Sequence, residues 1–148
     1  MNRKGVTLIE LIVVMVIIGI GALLVAPNIG AWLPNYKLRS ATRDIVSTMR
    51  TAQVKAVSRN LDYEVSFTKN ADGSGSYILQ YNTGGSWVAE GITQQIPSGI
   101  TIDAITFPGN NAQFNNNYTA SSGSITLKNN KAKKKISVTT STGKIKIE

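Results

Sequence analysis

The chain has 148 residues, a formal net charge of +8, and neither cysteine nor histidine. That length suits one domain of ordinary size. Without cysteine there is no disulfide framework or thiolate metal site, and without histidine the commonest general base and metal ligand are gone.

The first element is "RKGVTLIELIVV", Arg3 to Val14, the start of a long apolar run. From Val6 to Ala26 only Thr7 and Glu10 are polar, and no charge occurs between Leu11 and Tyr36. As a helix rising about 1.5 Å per residue, Val6 to Ala26 spans roughly 30 Å, the thickness of a bilayer's hydrocarbon core. A core helix seldom begins this near a basic terminus, and no small-residue A-x-A site follows the run as a secretory signal requires. A retained transmembrane helix over residues 6–34 is therefore expected.

Glu10 is the anomaly in this run. A carboxylate at the centre of a membrane helix costs about 2.5–3.5 kcal/mol or more, and less near an end. Such a residue needs a partner, and the nearest is an amine created by cutting the chain just upstream, on this molecule or its neighbour. Orientation is ambiguous by charge, since Arg3 and Lys4 flank one end while Lys37, Arg39 and Arg43 follow the other.

"KGVTLIEL" (Lys4 to Leu11) resembles the processing site of type IV prepilins and type II secretion pseudopilins. The resemblance implies that a prepilin peptidase removes a leader, residues 1–5, by cutting between Gly5 and Val6. It further implies N-methylation of Val6, and that Glu10 neutralises the amine of an adjacent subunit during assembly. Val6 stands where the family usually has phenylalanine. By the same resemblance the leader faces the cytoplasm and the globular part lies outside the inner membrane, from which the subunit is extracted into a filament.

Gly19, Gly21 and Pro27 weaken the run's second half, since an interior glycine costs about 1 kcal/mol against alanine and a proline about 3. Pro27 should kink the helix, and Pro34 is a second candidate bend or break. Gly19 and Pro27 sit where pilins carry comparable helix-weakening residues. Trp32 falls where an interfacial indole is favoured.

Beyond Asn35 the residues Leu38, Ala41, Ile45, Met49, Ala52 and Ala56 recur at steps of three and four. This is one apolar face of an amphipathic helix over residues 35–60, expected to pack on a sheet. Arg39, Arg43 and Arg50 form a separate stripe, either solvated or facing neighbouring subunits. "LRSATRDIVSTMRTAQVKAVSRN" (Leu38 to Asn60) resembles the same region of the GspH/FimT group of minor pseudopilins and pilins.

After Asn60 the period changes to two. Candidate strands are Tyr63–Thr68, Ser76–Tyr81, Ser86–Ala89, Ile100–Phe107, Ser124–Lys128, Lys135–Thr140 and Lys144–Ile147, separated by turn sequences such as "NADGSG", "NTGGS" and "FPGNN". "ADGSGS" (Ala71 to Ser76) looks like half a calcium loop but has one acid and no closing glutamate, so a hairpin turn is expected. "NNAQFNNNYTASSGS" (Asn110 to Ser124) is low in aliphatics and reads as a loop; Trp87 reads as a core residue. The whole is an α+β chain, a long helix packed on a β-rich domain over residues 61–148.

The C-terminal stretch is basic. Between Asp103 and Glu148 there is no acid, while Lys128, Lys131, Lys133, Lys134, Lys135, Lys144 and Lys146 crowd the end. Lys144 and Lys146 share a face if Ile145 and Ile147 point inward, and Lys133, Lys134 and Lys135 extend the patch if the "STG" turn brings their strand alongside. Such a patch attracts polyanions: DNA, teichoic acid, anionic lipid or an acidic sibling subunit. "GKIK" (Gly143 to Lys146) resembles the GRxR tail motif of DNA-binding FimT-type minor pilins, with lysine replacing both arginines, which keeps the charge but loses the planar fork. A hairpin glycine followed by lysines that guard an edge strand explains it equally.

Nothing along the chain argues for an enzyme or a cofactor: there is no Gly-rich phosphate loop and no G-x-S-x-G elbow. Three functions follow from the resemblance and the charge. The chain is a minor pilin or pseudopilin that joins or initiates a filament with other subunits, a DNA-binding minor pilin of transformation, or a major pilin.

Overall fold

The computed structural model describes residues 5–148, with the side chains of 24–29 and 31 outside the described set. Helix α1 runs Leu8–Arg59. The chain divides into two units, Met1–Leu33 and Pro34–Glu148, and each is taken by itself.

In the first unit Gly5 to Thr7 are non-helical and α1 begins at Leu8. Thr7 caps it: its Oγ1 accepts the backbone N–H of Glu10 at 3.3 Å, and its carbonyl accepts the N–H of Leu11 at 3.2 Å. A threonine followed three residues later by glutamate is the sequence pattern of such a start. Every side chain from Val6 to Leu23 is exposed, on all sides of the helix. A Cβ added at Gly19 or Gly21 would meet nothing within 4 Å, so among the described residues neither glycine serves a close contact. Among the described residues no helix is long and apolar enough to cross a membrane. The span expected over 6–34 runs through side chains 24–29 and 31, and Pro27 with them lies outside the described set. The helix is not broken at Pro34, since a proline removes one backbone donor yet holds a helical φ.

The second unit begins with the amphipathic part of α1. Leu38, Ala41, Ile45, Met49, Ala52 and Ala56 are all buried, joined by Thr42 and Val46. The hydroxyl of Thr42 survives burial because it donates to the Leu38 carbonyl at 2.7 Å. The helix ends at Asn60, whose φ of 54° is left-handed, and Leu61 N–H closes the turn on the Ala56 carbonyl at 3.2 Å. Beside this end Glu90 accepts hydrogen bonds from Lys55 Nζ at 2.9 Å and Arg59 Nη1 at 3.1 Å.

The strands form two antiparallel sheets. One contains β1 (Tyr63–Lys69), β2 (Gly75–Asn82), β3 (Trp87–Ala89), β4 (Gln94–Gln95) and β6 (Asn111–Phe114), in the order β3-β2-β1-β6 with β4 also on β2. The other contains β5 (Thr101–Ile105), β7 (Gly123–Lys128), β8 (Lys133–Val138) and β9 (Ile145–Ile147), in the order β5-β7-β8-β9. The β1–β2 turn is the expected hairpin, with Gly73 at φ 82° and Asp72 Oδ1 accepting the Ser74 N–H at 2.9 Å. Tyr63, Val65 and Phe67 on β1, Ile125 and Leu127 on β7, and Ile136 and Val138 on β8 join the α1 face in one core. Phe67 stacks on Phe107 at 6.1 Å.

Several expectations need correction. Asn110 to Ser124 is not all loop, because β6 lies within it and pairs with β1, Phe114 opposite Tyr63. Ala112 and Phe114 are buried at alternate positions, which satisfies the pleat despite the asparagines. The strand expected at Ile100–Phe107 is shortened to β5, with a register shift between Ile102 and Ala104. The strand expected from Lys135 starts at Lys133, because it pairs with all of β7, Lys133 opposite Lys128. Trp87 is only half-buried on the outer strand β3.

One further tie lies at the start of this unit. Asn129, in the turn between β7 and β8, donates from Nδ2 to the Pro34 carbonyl at 2.9 Å and to Asn35 Oδ1 at 3.3 Å.

Ile45 is fully buried in the face of α1 that organises this core. Replacing a buried isoleucine by alanine costs about 2–5 kcal/mol. Ile45→Ala should lower the thermal midpoint of the folded chain clearly, whereas the same change at exposed Val54 should leave it nearly unmoved; circular dichroism melts check both.

Candidate functional site

The chain offers two places where function can reside: the N-terminal end of α1 and the basic surface of the second unit.

At the N-terminus, Gly5 and Val6 are exposed and precede the helix. The peptide bond between them therefore lies in accessible, non-helical backbone, the kind a peptidase can take into its active site. Glu10 is exposed in the first turn of α1. Its backbone is used by the Thr7 cap, but among the described residues its carboxylate has no hydrogen-bond or ion-pair partner. The reciprocal half of a capping box, glutamate reaching back to the threonine N–H, is thus not made. Among the described residues a negative charge thus stands unpaired on a stretch, Val6 to Leu23, that is otherwise apolar apart from Thr7.

The lysine tail is less uniform than its sequence suggests. On β8, Lys133 and Lys135 are exposed, whereas Lys134 is half-buried and alternates to the same face as buried Ile136 and Val138. Lys134 therefore does not extend a patch made by its two neighbours. The β8–β9 register sets Ser137 opposite Lys146, so Lys146 shares the outer face with Lys133 and Lys135.

Acids already sit among these cations. Asp103 binds Lys128 and Lys133, each at 2.7 Å. Glu148 lies 3.7 Å from Lys135 and 3.4 Å from Lys146. Lys134 and Lys144 have no ion pair among the described residues. Gly143 has a structural reason of its own: its φ is 58°, and an added Cβ would press on Gln53 Nε2. Glycine is required there for the turn into β9 whatever the tail binds.

The arginine stripe was read apart from the tail, yet the fold brings part of it to the same place. Arg39 and Arg43, one helical turn apart on α1, line a cleft with Lys134 and Ile147. Sequence spacing alone gave no signal for this, because nearly the whole second unit separates the two segments in the chain.

Comparison with known proteins bears on both regions. Residues 1–26 match the prokaryotic N-terminal methylation motif. Residues 41–143 match the type II transport protein GspH. The chain belongs to the GspH family. Its fold is that of a pseudopilin: the minor pseudopilin EpsH from the Type 2 Secretion System of Vibrio cholerae is similar over 76% of this chain and 96% of that one, with a TM-score of 0.62 and 8% identity. No curated protein matches the sequence. The methylation motif places Gly5, Val6 and Glu10 inside a matched segment, while the family match stops at residue 143, before Lys144 and Lys146. A GspH-type minor pseudopilin is a membrane-anchored, pilin-like subunit that works with other pseudopilins.

The Asp103 clamp can be tested by titration. Hydrogen bonds from Lys128 and then Lys133 hold its carboxyl down to about 2. A depressed carboxyl contributes stability that is present above its unfolded value, near 3.8, and lost as pH falls through about 2. Asp103→Asn should be less stable than wild type at pH 5, and the difference should shrink between pH 4 and pH 2. Unfolding midpoints measured across that window check the sign.

Proposed function

We propose that this GspH-type minor pseudopilin is a structural subunit, not a catalyst, which joins or initiates the type II secretion pseudopilus through its N-terminal helix. The observation that carries this reading is the Glu10 carboxylate, without a partner among the described residues on an exposed and largely apolar stretch of helix. In low dielectric such a charge strongly attracts an amine on a neighbouring helix. The amine is that of Val6, exposed when prepilin peptidase cuts after Gly5, and then methylated. Pairing Glu10 of one subunit with Val6 of the next fixes the axial stagger of the two rods.

On this reading residues 6–34 cross the inner membrane once, the leader faces the cytoplasm, and the globular unit lies outside it. The apolar surface of Leu8 to Leu23 is covered first by lipid and then by sibling helices. Gly19 and Pro27 let that stretch yield as the subunit leaves the membrane. The exposed arginine and lysine surfaces face siblings or the bilayer.

Intact-mass measurement of the native protein should find residues 1–5 absent and a methyl group on Val6. Leaving a buried amine without its acid costs about 3–5 kcal/mol, so Glu10→Ala should insert and be processed normally yet abolish incorporation and secretion. Retention of residues 1–5, or unimpaired secretion by Glu10→Ala, overturns the proposal.

One observation favours a second reading, DNA capture by the tail: Lys144 and Lys146 are exposed side by side, and Lys144 has no ion-pair partner among the described residues. Phosphate contacts make binding steeply salt-dependent. In a gel shift of the full chain in nonionic detergent, retardation of duplex DNA that disappears at high salt and in Lys144→Ala/Lys146→Ala supports it. Absence of retardation, or retardation unchanged by the two substitutions, removes it.

A further inference from the structure

The cleft between α1 and the end of the second sheet has a composition that pairing of Glu10 with Val6 does not use. It is lined by Arg39, Thr42, Arg43, Lys134 and Ile147, with a volume of about 230 Å³. Three of these side chains are cations and none is an acid. Thr42 forms a buried floor whose hydroxyl is already committed to the Leu38 carbonyl. Ile147, partly exposed, gives the cleft one apolar wall.

The nearby acids leave these cations unanswered. Asp44 follows Arg43 and lines the neighbouring cleft with Tyr36, Arg39, Ser40 and Arg43, but it forms no ion pair with either arginine. Glu148 is turned to Lys135 and Lys146 on the other face of the strands. Among the described residues neither Arg39, Arg43 nor Lys134 has an ion-pair partner. Bringing three like charges into one cleft is unfavourable unless an anion joins them. Two guanidinium forks a turn apart, with an ammonium opposite, match the several oxygens of a phosphate better than they match a single carboxylate.

We infer that the Arg39–Arg43–Lys134 cleft binds a phosphate group, supplied by the headgroup of an anionic phospholipid. The choice of source rests on the membrane reading above, by which Arg39 and Arg43 follow the bilayer-spanning stretch within a few helical turns. An anionic bilayer surface attracts basic residues held within a Debye length of it. Ile147 and the stems of the arginines then flank the glycerol of the headgroup, while the charged ends hold the phosphate.

The test is native mass spectrometry of the full chain released from nonionic-detergent micelles, doped with phosphatidylglycerol, with diacylglycerol as the lipid lacking phosphate, or with inorganic phosphate alone. Each charge-assisted contact to phosphate is worth about 1.5–3 kcal/mol, or roughly tenfold or more in affinity. Phosphatidylglycerol retained over diacylglycerol, lost in Arg39→Gln/Arg43→Gln/Lys134→Gln and kept in Lys144→Gln/Lys146→Gln, establishes the site and its lipid source. Binding of inorganic phosphate with the same dependence on the three residues, and no preference for the lipid, keeps the phosphate site and rejects the membrane as its source. Binding unchanged in the triple variant, or no phosphate-bearing probe bound, overturns the proposal. Lys134→Gln alone, on a half-buried side chain outside the core, serves if the triple variant melts early. None of these readings needs leader removal or filament assembly, so failure here is separable from failure of the assembly reading.

Discussion

The second unit depends on the burial of one helical strip. Leu38, Ile45 and Met49 supply volume, while Ala41, Ala52 and Ala56 are small side chains buried beside them. Large and small residues are mixed along the strip, so side chains from both sheets can pack into its uneven surface. Each large apolar side chain buried this way contributes about 1.5–3 kcal/mol. The strands alone could not substitute for it, since β3, β4 and β9 are short and partly or fully exposed. Without the helix the sheets would each present an apolar face to water.

The same helix thus has two characters. From Val6 to Leu23 the side chains are apolar apart from Thr7 and Glu10, and all of them are exposed. From Leu38 onward it is apolar on one side only. A helix that is greasy on every side belongs in lipid or among other helices, whereas a one-sided helix belongs on a globular core. The change falls between Leu33 and Leu38, within a single secondary-structure element.

Much of this was legible in the residues. The 3.6 period of Leu38 to Ala56 identified the buried face residue by residue, because helical periodicity is local and needs no partner. The N-terminal motif was legible because leader, glycine, "TLIE" and the apolar run occur in a fixed order. The threonine cap within the same letters was missed, though T-x-x-E is its usual signal. Strand β6 was missed because "NNAQFNNN" looks like loop; only Ala112 and Phe114 carry its alternation, and its stability comes from pairing with β1. The arrangement of the lysines is hidden for a related reason. Adjacent letters 133, 134 and 135 look like one patch, but alternation sends Lys134 to the opposite face, and which face each takes is set by tertiary pairing. For the same reason the meeting of Lys134 with Arg39 and Arg43 could not be read from a linear string.

The hydrogen bonds from Asn129 to Pro34 and Asn35 carry a mechanical consequence. They fasten the tip of the β7–β8 hairpin to the point where α1 enters the globular unit. Force applied along the axis of α1 reaches that fastening before it reaches the strip at Leu38. Part of the load then passes through Asn129 into the turn between β7 and β8, so the strip on α1 is not the first contact to be strained. An asparagine in a surface turn thereby gives tension a second point of entry into the globular head.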